Sequence, residues 1–255
     1  MSNILKTQRK DYTKEMEINF FCILRRFINQ DVMNKIINKV NYFNEKYEYD
    51  EVKNSYITNN KRRENSLYSD FGFEKTRMSN WSNEERDKML DKYYNVEREM
   101  GEELNNILTN VFFLLNMKQW RMLGITLIET YPGCNEQEIH IDMPGKLGSN
   151  NTYRYYLSIP LQYTDIKMGP IIYYKEDGMK EFRKEYDNNK DENGVIGKLN
   201  SLKWEIKQIF LSAREQYDYK LGDISIHRDI TYNNGGTNNT NKIRRVLFVA
   251  CDVRY

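Results

Sequence analysis

His140 and Asp142 stand two residues apart in a stretch, residues 137–142, whose composition reads as a β-strand. Residues i and i+2 of a strand share a face, so this imidazole and this carboxylate reach one point in space. The chain holds only one other histidine, His227, at the end of Gly222-Asp-Ile-Ser-Ile-His227. If its strand lies beside the first, two imidazoles and one carboxylate converge with other coordination positions open. That is the ligand set of a non-haem Fe(II) centre. The spacing alone is a weak signal. With 37 acidic residues among 255, the pattern arises readily by chance, and a lone strand histidine is more often structural. The surroundings add weight: Tyr131-Pro132-Gly133 precedes the pair, a Gly222-Asp223 turn opens the strand of His227, and Arg244-Arg245 opens the next.

Those residues need elements to position them. Asp31 stands as a helix N-cap ahead of Val32, Met33, Ile36, Ile37, Val40 and Phe43, which step by three and four. Met89, Tyr93, Val96, Met100, Leu104, Ile107, Val111 and Leu114 form a second core-facing helical stripe. After Trp120 the pattern shortens into segments rich in Ile, Val, Tyr and Leu. Strands are predicted at 124–130, 137–142, 153–162, 169–174, 222–228 and 243–253, with Gly, Pro and Asn between them. Residues 176–216 interrupt the series with charged, helical sequence, where Ile206, Ile209, Phe210 and Ala213 make a short apolar face. The expected fold is α+β, a sandwich or barrel with supporting N-terminal helices and a helical insertion. Residues 1–16 read as a flexible charged leader and 17–255 as one domain. Within it, 17–118 is mainly helical support and 119–255 the β core. Residues 50–86 read as a surface excursion, and Lys61-Arg62-Arg63 within it as a solvated patch.

Composition narrows the classes. The 39 Lys+Arg nearly balance the 37 Asp+Glu, and residues 1–120 carry 20 basic against 19 acidic, so no half forms a nucleic-acid footprint. Cys22, Cys134 and Cys251 are odd in number and widely spaced. This argues against a disulfide framework and for a reducing, cytoplasmic setting. No apolar run is long enough to span a bilayer. Thirty asparagines, with abundant Ile, Lys and Tyr and only two alanines, suggest an AT-rich genome, such as that of a giant virus, a protist or a low-GC bacterium.

Taken together, these motifs resemble the Fe(II)- and 2-oxoglutarate-dependent dioxygenases, from about residue 20 to the C-terminus with gaps at 50–86 and 176–216. Arg26-Phe-Ile-Asn-Gln-Asp31 and the helix after it are similar to the lead-in of prolyl-hydroxylase-like and phytanoyl-CoA-hydroxylase-like members. Tyr131-Pro-Gly133 with His140-x-Asp142, Tyr155-Tyr-Leu-Ser-Ile-Pro-Leu161 with Met168-Gly-Pro170, and Gly222-Asp223…His227…Arg244 carry the rest. The resemblance implies a double-stranded β-helix (jelly-roll, cupin-like) with Fe(II) on His140, Asp142 and His227. It further implies 2-oxoglutarate as co-substrate and ascorbate as a reductant. Arg244 or Arg245 would grip the far carboxylate, with Tyr131 nearby; the two arginines alternate in face, and Arg244 is preferred. The gap from His227 to Arg244 is longer than in phytanoyl-type members, and an alignment in that style puts Asn233 at the distal ligand position. Tyr153, Tyr155 and Tyr156, with the loop at 146–152, are candidate pocket residues. The implied reaction is hydroxylation of a small molecule or protein side chain, releasing succinate and CO2. A nucleic-acid base demethylase or hydroxylase of the same superfamily and a non-catalytic jelly-roll module are the alternatives. Oligomeric state has no signature in the sequence.

Overall fold

A computed structural model describes residues 3–47, 61–69, 82–142, 152–176 and 211–254, with Gln208; side chains are described from Asp11 onward. Helix α1 (Asn3–Asn19) leads into strand β1 (Phe21–Leu24) and helix α2 (Gln30–Lys46). Strand β2 (Arg62–Ser69), helix α3 (Asn83–Leu114) and strand β3 (Gln119–Thr130) follow. The remaining strands are β4 (Thr152–Pro160), β5 (Ile171–Tyr174), β6 (Arg214–Gln216), β7 (Ile224–Arg228), β8 (Asn233–Gly235) and β9 (Arg244–Arg254). They form a large sheet ordered β1-β7-β4-β9-β3-β2 and a small one ordered β6-β5-β8, the two sheets of a double-stranded β-helix.

Two helix faces and the outer face of the large sheet share one core. Met33, Ile36, Val40 and Phe43 of α2 bury together with Val96, Met100, Leu104, Ile107, Val111 and Phe112 of α3. Against them lie Ile125 and Leu127 of β3, Tyr155, Leu157 and Ile159 of β4, and Leu247, Val249, Cys251 and Val253 of β9. The helical stripes predicted from sequence are these faces. Capping differs in one case: the α2 cap is Asn29, whose side chain accepts from Val32 N, and Asp31 falls in the first turn. Helix α3 starts at a capping box between Ser82 and Glu85.

The N-terminal half departs from expectation in three places. The supposed leader is helix α1, which Met16 and Tyr12, one turn apart, pin to the core. The apolar stretch after it is β1, an edge strand paired with β7 so that Phe21 opposes His227. The surface excursion contains β2, which closes the other edge of the large sheet against β3. Charge-rich Arg62-Arg-Glu-Asn lacks strand propensity, so tertiary pairing decides. Residues 137–142 form no continuous strand: they run beside β8 through Gln137 N to Gly235 O and a single bridge between His140 and Asn233. The expected insertion ends in β6, while Ile206, Ile209 and Phe210, like the 146–151 loop, lie outside the described residues. Among the described residues no helix is long and apolar enough to cross a membrane.

A buried lysine ties β2 to the helices. Lys92 Nζ donates to Asn65 Oδ1 at 2.8 Å, and Asn65 Nδ2 donates to Asn44 Oδ1 at 3.1 Å, linking α3, β2 and α2. Burial pushes the Lys92 ammonium down to about 8 from its ordinary 10.5. Between those values the unfolded chain binds the extra proton, so stability rises with pH across that window. From pH 7.5 to 9.5 the gain is about 2 kcal/mol, at about 1.4 kcal/mol per pKa unit. Urea midpoints should climb over this range in the wild type and stay flat in Lys92→Met. A wild-type midpoint that does not move with pH would refute the assignment.

Candidate active site

The inner face of the large sheet and the small sheet enclose a cavity of about 260 Å³. Alternation along each strand sets its walls. Thr126 and Ile128 of β3, Tyr156, Ser158 and Pro160 of β4, and Arg244, Val246 and Phe248 of β9 face inward. Arg62 and Glu64 of β2 close one side, and His140, Asp142 and Asn233 stand at the other.

At that other side three polar side chains gather on one carboxylate. Asp142 Oδ2 accepts from His227 Nε2 at 2.6 Å and from Asn233 Nδ2 at 3.0 Å, while His140 Nε2 lies 3.8 Å from Oδ1. Burial works to raise the Asp142 carboxyl. The hydrogen bond from His227, the charges of both imidazoles and the Asn233 amide outweigh it and hold the carboxyl below its usual range. His140 is 36% exposed and turns Nδ1 to its neighbour Glu138 O, which leaves Nε2 directed at Asp142. His227 is fully buried and not part of the cavity wall. Its ring stacks on Tyr156 with centroids 5.4 Å apart, and its Nδ1 lies 3.3 Å from Tyr173 Oη. That hydroxyl donates to Ser225 Oγ at 2.9 Å, and its contact with Nδ1 fixes the ring so that Nε2 is turned to Asp142.

The three expected metal ligands are therefore brought together, across 85 residues in the case of His227 and Asp142. Their arrangement is a closed hydrogen-bonded contact. Among the described residues no three His, Cys, Asp or Glu side chains surround one point as a formed metal cage. Asn233 reaches the same carboxylate from β8, and unlike His227 it faces the cavity.

The arginine pair divides as alternation requires. Arg244 is buried in the cavity wall and donates to Gly169 O and, at 2.8 Å, to Thr130 Oγ1, while its Nε has no partner. Burial, and next the like charge of Arg62, push it down to about 9, still cationic at neutral pH. Arg245 points to the helix side. It is no free surface charge, since it binds Glu129 at 2.8 Å and Asn41 at 2.9 Å. Tyr131 lies outside the cavity wall, its hydroxyl taken by Arg63 and Glu129. Of the three candidate tyrosines only Tyr156 faces the cavity. Tyr155 is packed on Phe112 in the core, and Tyr153 covers Arg228 at 4.6 Å, because both alternate to the opposite face.

Sequence reasoning missed Arg62, Thr130 and Tyr173. Arg62 belongs to a basic run expected to be a solvated patch, yet it is 4% exposed and lines the cavity, because pairing with β3 turns it inward. The alternation Arg62-x-Glu64 held a faint strand signal, outweighed by its polar surroundings. Tyr173 sits in a predicted strand and carries no motif.

The chain matches no family model and no curated protein. Solved structures are similar in fold. The non-haem α-ketoglutarate-dependent epimerase SnoN from nogalamycin biosynthesis superposes with a TM-score of 0.61 at 7% identity, over 96% of this chain and 83% of that one. The carbocyclase SnoK from the same biosynthesis gives 0.59 at 11% identity, with 96% and 83% covered. HygX from Streptomyces hygroscopicus, with nickel and 2-oxoglutarate bound, gives 0.53 at 9% identity, with 95% and 86% covered. Likeness at this identity establishes the double-stranded β-helix, and the site must be argued from its own residues.

Tyr173→Phe tests the support beneath His227. Losing the hydroxyl strips a buried partner from both Ser225 and the imidazole. The variant should lose about 1–3 kcal/mol of unfolding free energy, and the ring ¹⁵N shifts of His227 should move. Unchanged values for both would show that the hydroxyl does not hold the ring.

Proposed function

We propose that the protein is an Fe(II)- and 2-oxoglutarate-dependent oxygenase. One observation carries the reading: a single cavity has an imidazole–carboxylate cluster at one side and a buried guanidinium lacking a carboxylate at the other. The donor types suit Fe(II), since two imidazoles and one carboxylate lie in mutual reach. His140 and Asp142 are the cavity-facing ligands, and His227, touching the same carboxylate, completes the set. Solved structures of similar fold include SnoN with Fe3+ and α-ketoglutarate, and HygX with nickel and 2-oxoglutarate, which supports the same pairing here.

Bound iron with 2-oxoglutarate supplies oxidation of a C–H bond by O2, yielding hydroxylated product, succinate and CO2. This chain's residues arrange the reactants. Arg244 offers a planar fork to the far carboxylate of 2-oxoglutarate, and burial strengthens that pairing by excluding water. Ile128, Val246, Phe248 and Ile171 form apolar walls around the chain of the co-substrate. Tyr173 and Tyr156 fix the plane of His227. We take the reaction to be hydroxylation of a small molecule. SnoN and SnoK are named as epimerase and carbocyclase, so product analysis must include ring closure and inversion. The net charge of +2 weighs against a nucleic-acid substrate.

A second reading of the ligand set rests on Asn233, which faces the cavity where His227 does not. Alanine variants decide. His140→Ala and Asp142→Ala should each lower 2-oxoglutarate-to-succinate turnover at least about a hundredfold and reduce the iron content of protein purified without chelator. His227→Ala should lose metal while Asn233→Ala keeps it; the reverse pattern transfers the third ligand to Asn233. Turnover undiminished in both His140→Ala and Asp142→Ala would end the oxygenase reading.

A further inference from the structure

Arg62 and Arg244 come from different strands, far apart in sequence, yet meet at one level of the sheet. In the register of β2, β3 and β9, Arg62 opposes Thr130 and Thr130 opposes Arg244. Opposed residues of neighbouring strands share a face, so the two guanidiniums flank the Thr130 hydroxyl on the cavity side. Each arginine is 4% exposed. Neither forms an ion pair within 4 Å among the described residues. Arg62 leaves Nε and Nη2 without a hydrogen-bond partner, and Arg244 leaves Nε. What Arg62 does meet is the Cys134 thiol, and Glu64 helps to keep it charged from two residues along the strand.

The small sheet makes room for this second cation. A Cβ on Gly235 would stand 2.2 Å from Arg62 Nη2, so the guanidinium keeps its present place only against a bare glycine backbone. Two buried like charges with free donors are costly in an empty cavity. Backbone and hydroxyl acceptors satisfy only part of Arg244, and a thiol is a weak acceptor for Arg62. The missing complement is an anion with several acceptor oxygens.

We propose that Arg62 is a second anion-binding residue of the cavity, and that one carboxylate of a dicarboxylate is held between Arg62 and Arg244 beside the Thr130 hydroxyl. This rests on the oxygenase reading for the identity of the dicarboxylate as 2-oxoglutarate. The distal carboxylate takes a fork from each strand, so the cavity discriminates against 2-oxo acids that end in a methyl group.

The test is calorimetric titration of Mn(II)-loaded protein with 2-oxoglutarate and with 2-oxopentanoate, which lacks the distal carboxylate. Wild type should bind 2-oxoglutarate the more tightly. Arg62→Gln should weaken 2-oxoglutarate by about ten- to hundredfold, the scale of a lost charged hydrogen bond, and leave 2-oxopentanoate unchanged. Arg62→Lys should fall between. Gly235→Ala, which crowds the guanidinium without removing it, should reproduce the selective loss even if Arg62→Gln folds poorly. Wild-type affinity for 2-oxoglutarate in both Arg62→Gln and Gly235→Ala would overturn the role of Arg62 while leaving the oxygenase reading standing. Equal weakening of both ligands would also overturn it, as a general structural effect. No 2-oxoglutarate binding by wild type would remove both readings.

Discussion

The large sheet must serve two interiors at once, and the period-two alternation of its strands makes that possible. In β9, Leu247, Val249, Cys251 and Val253 enter the core shared with α2 and α3, while Arg244, Val246 and Phe248 enter the cavity. In β4, Tyr155, Leu157 and Ile159 do the first task, and Tyr156, Ser158 and Pro160 the second. A slip of one residue in β9 would drive Arg244 into an apolar core and Leu247 into the cavity. The helices therefore act on the site at a distance. By burying one face of the sheet they fix the register, and the register fixes which side chains line the cavity.

That division explains how buried charge is tolerated. Arg62 and Arg244 are removed from water and Asp142 is largely so, and isolated ions in such a setting are strongly unfavourable. Asp142 is satisfied locally by hydrogen-bond contact with His227 and Asn233, and Tyr173 meets the other nitrogen of the His227 ring. The guanidiniums have no comparable arrangement. Thr130 and Gly169 take two donors of Arg244, and other donors remain free. The rest of the fold carries this cost through the apolar core on the other face of the same strands.

Much of this was legible in the sequence, for physical reasons. The helical stripes of α2 and α3 repeat long enough to identify the faces they bury, and β3, β4, β7 and β9 are rich in β-branched and aromatic residues. The alternation of Arg244 and Arg245 follows from strand geometry alone. The failures share a cause. β2 is polar, α1 is charged, β8 is Asn-Asn-Gly, and residues 137–142 touch β8 through only a few hydrogen bonds. Such segments take their conformation from partners already in place, and partners are not visible along one chain. Arg62 illustrates the consequence: its neighbours Lys61 and Arg63 suggested a solvated run, whereas pairing with β3 turned it inward.

The charge distribution of the cavity gives it a direction. Asp142 marks one end as acidic and Arg62 with Arg244 mark the other as basic, with Ile128, Val246 and Phe248 forming an apolar stretch between. In a water-poor space these fields are weakly screened, so a bound molecule is oriented before any contact is optimised. A dicarboxylate alone would be repelled at the Asp142 end, since carboxylate would face carboxylate. A divalent cation bound there would reverse the sign, and the same end would then attract a 2-oxo acid group. Under the proposed function, electrostatics would couple the two ends: the arginines would anchor one carboxylate, and a metal ion on the Asp142 cluster would attract the other. Such a coupling would account for a cavity that buries two arginines at one end while gathering three polar groups onto a single carboxylate at the other.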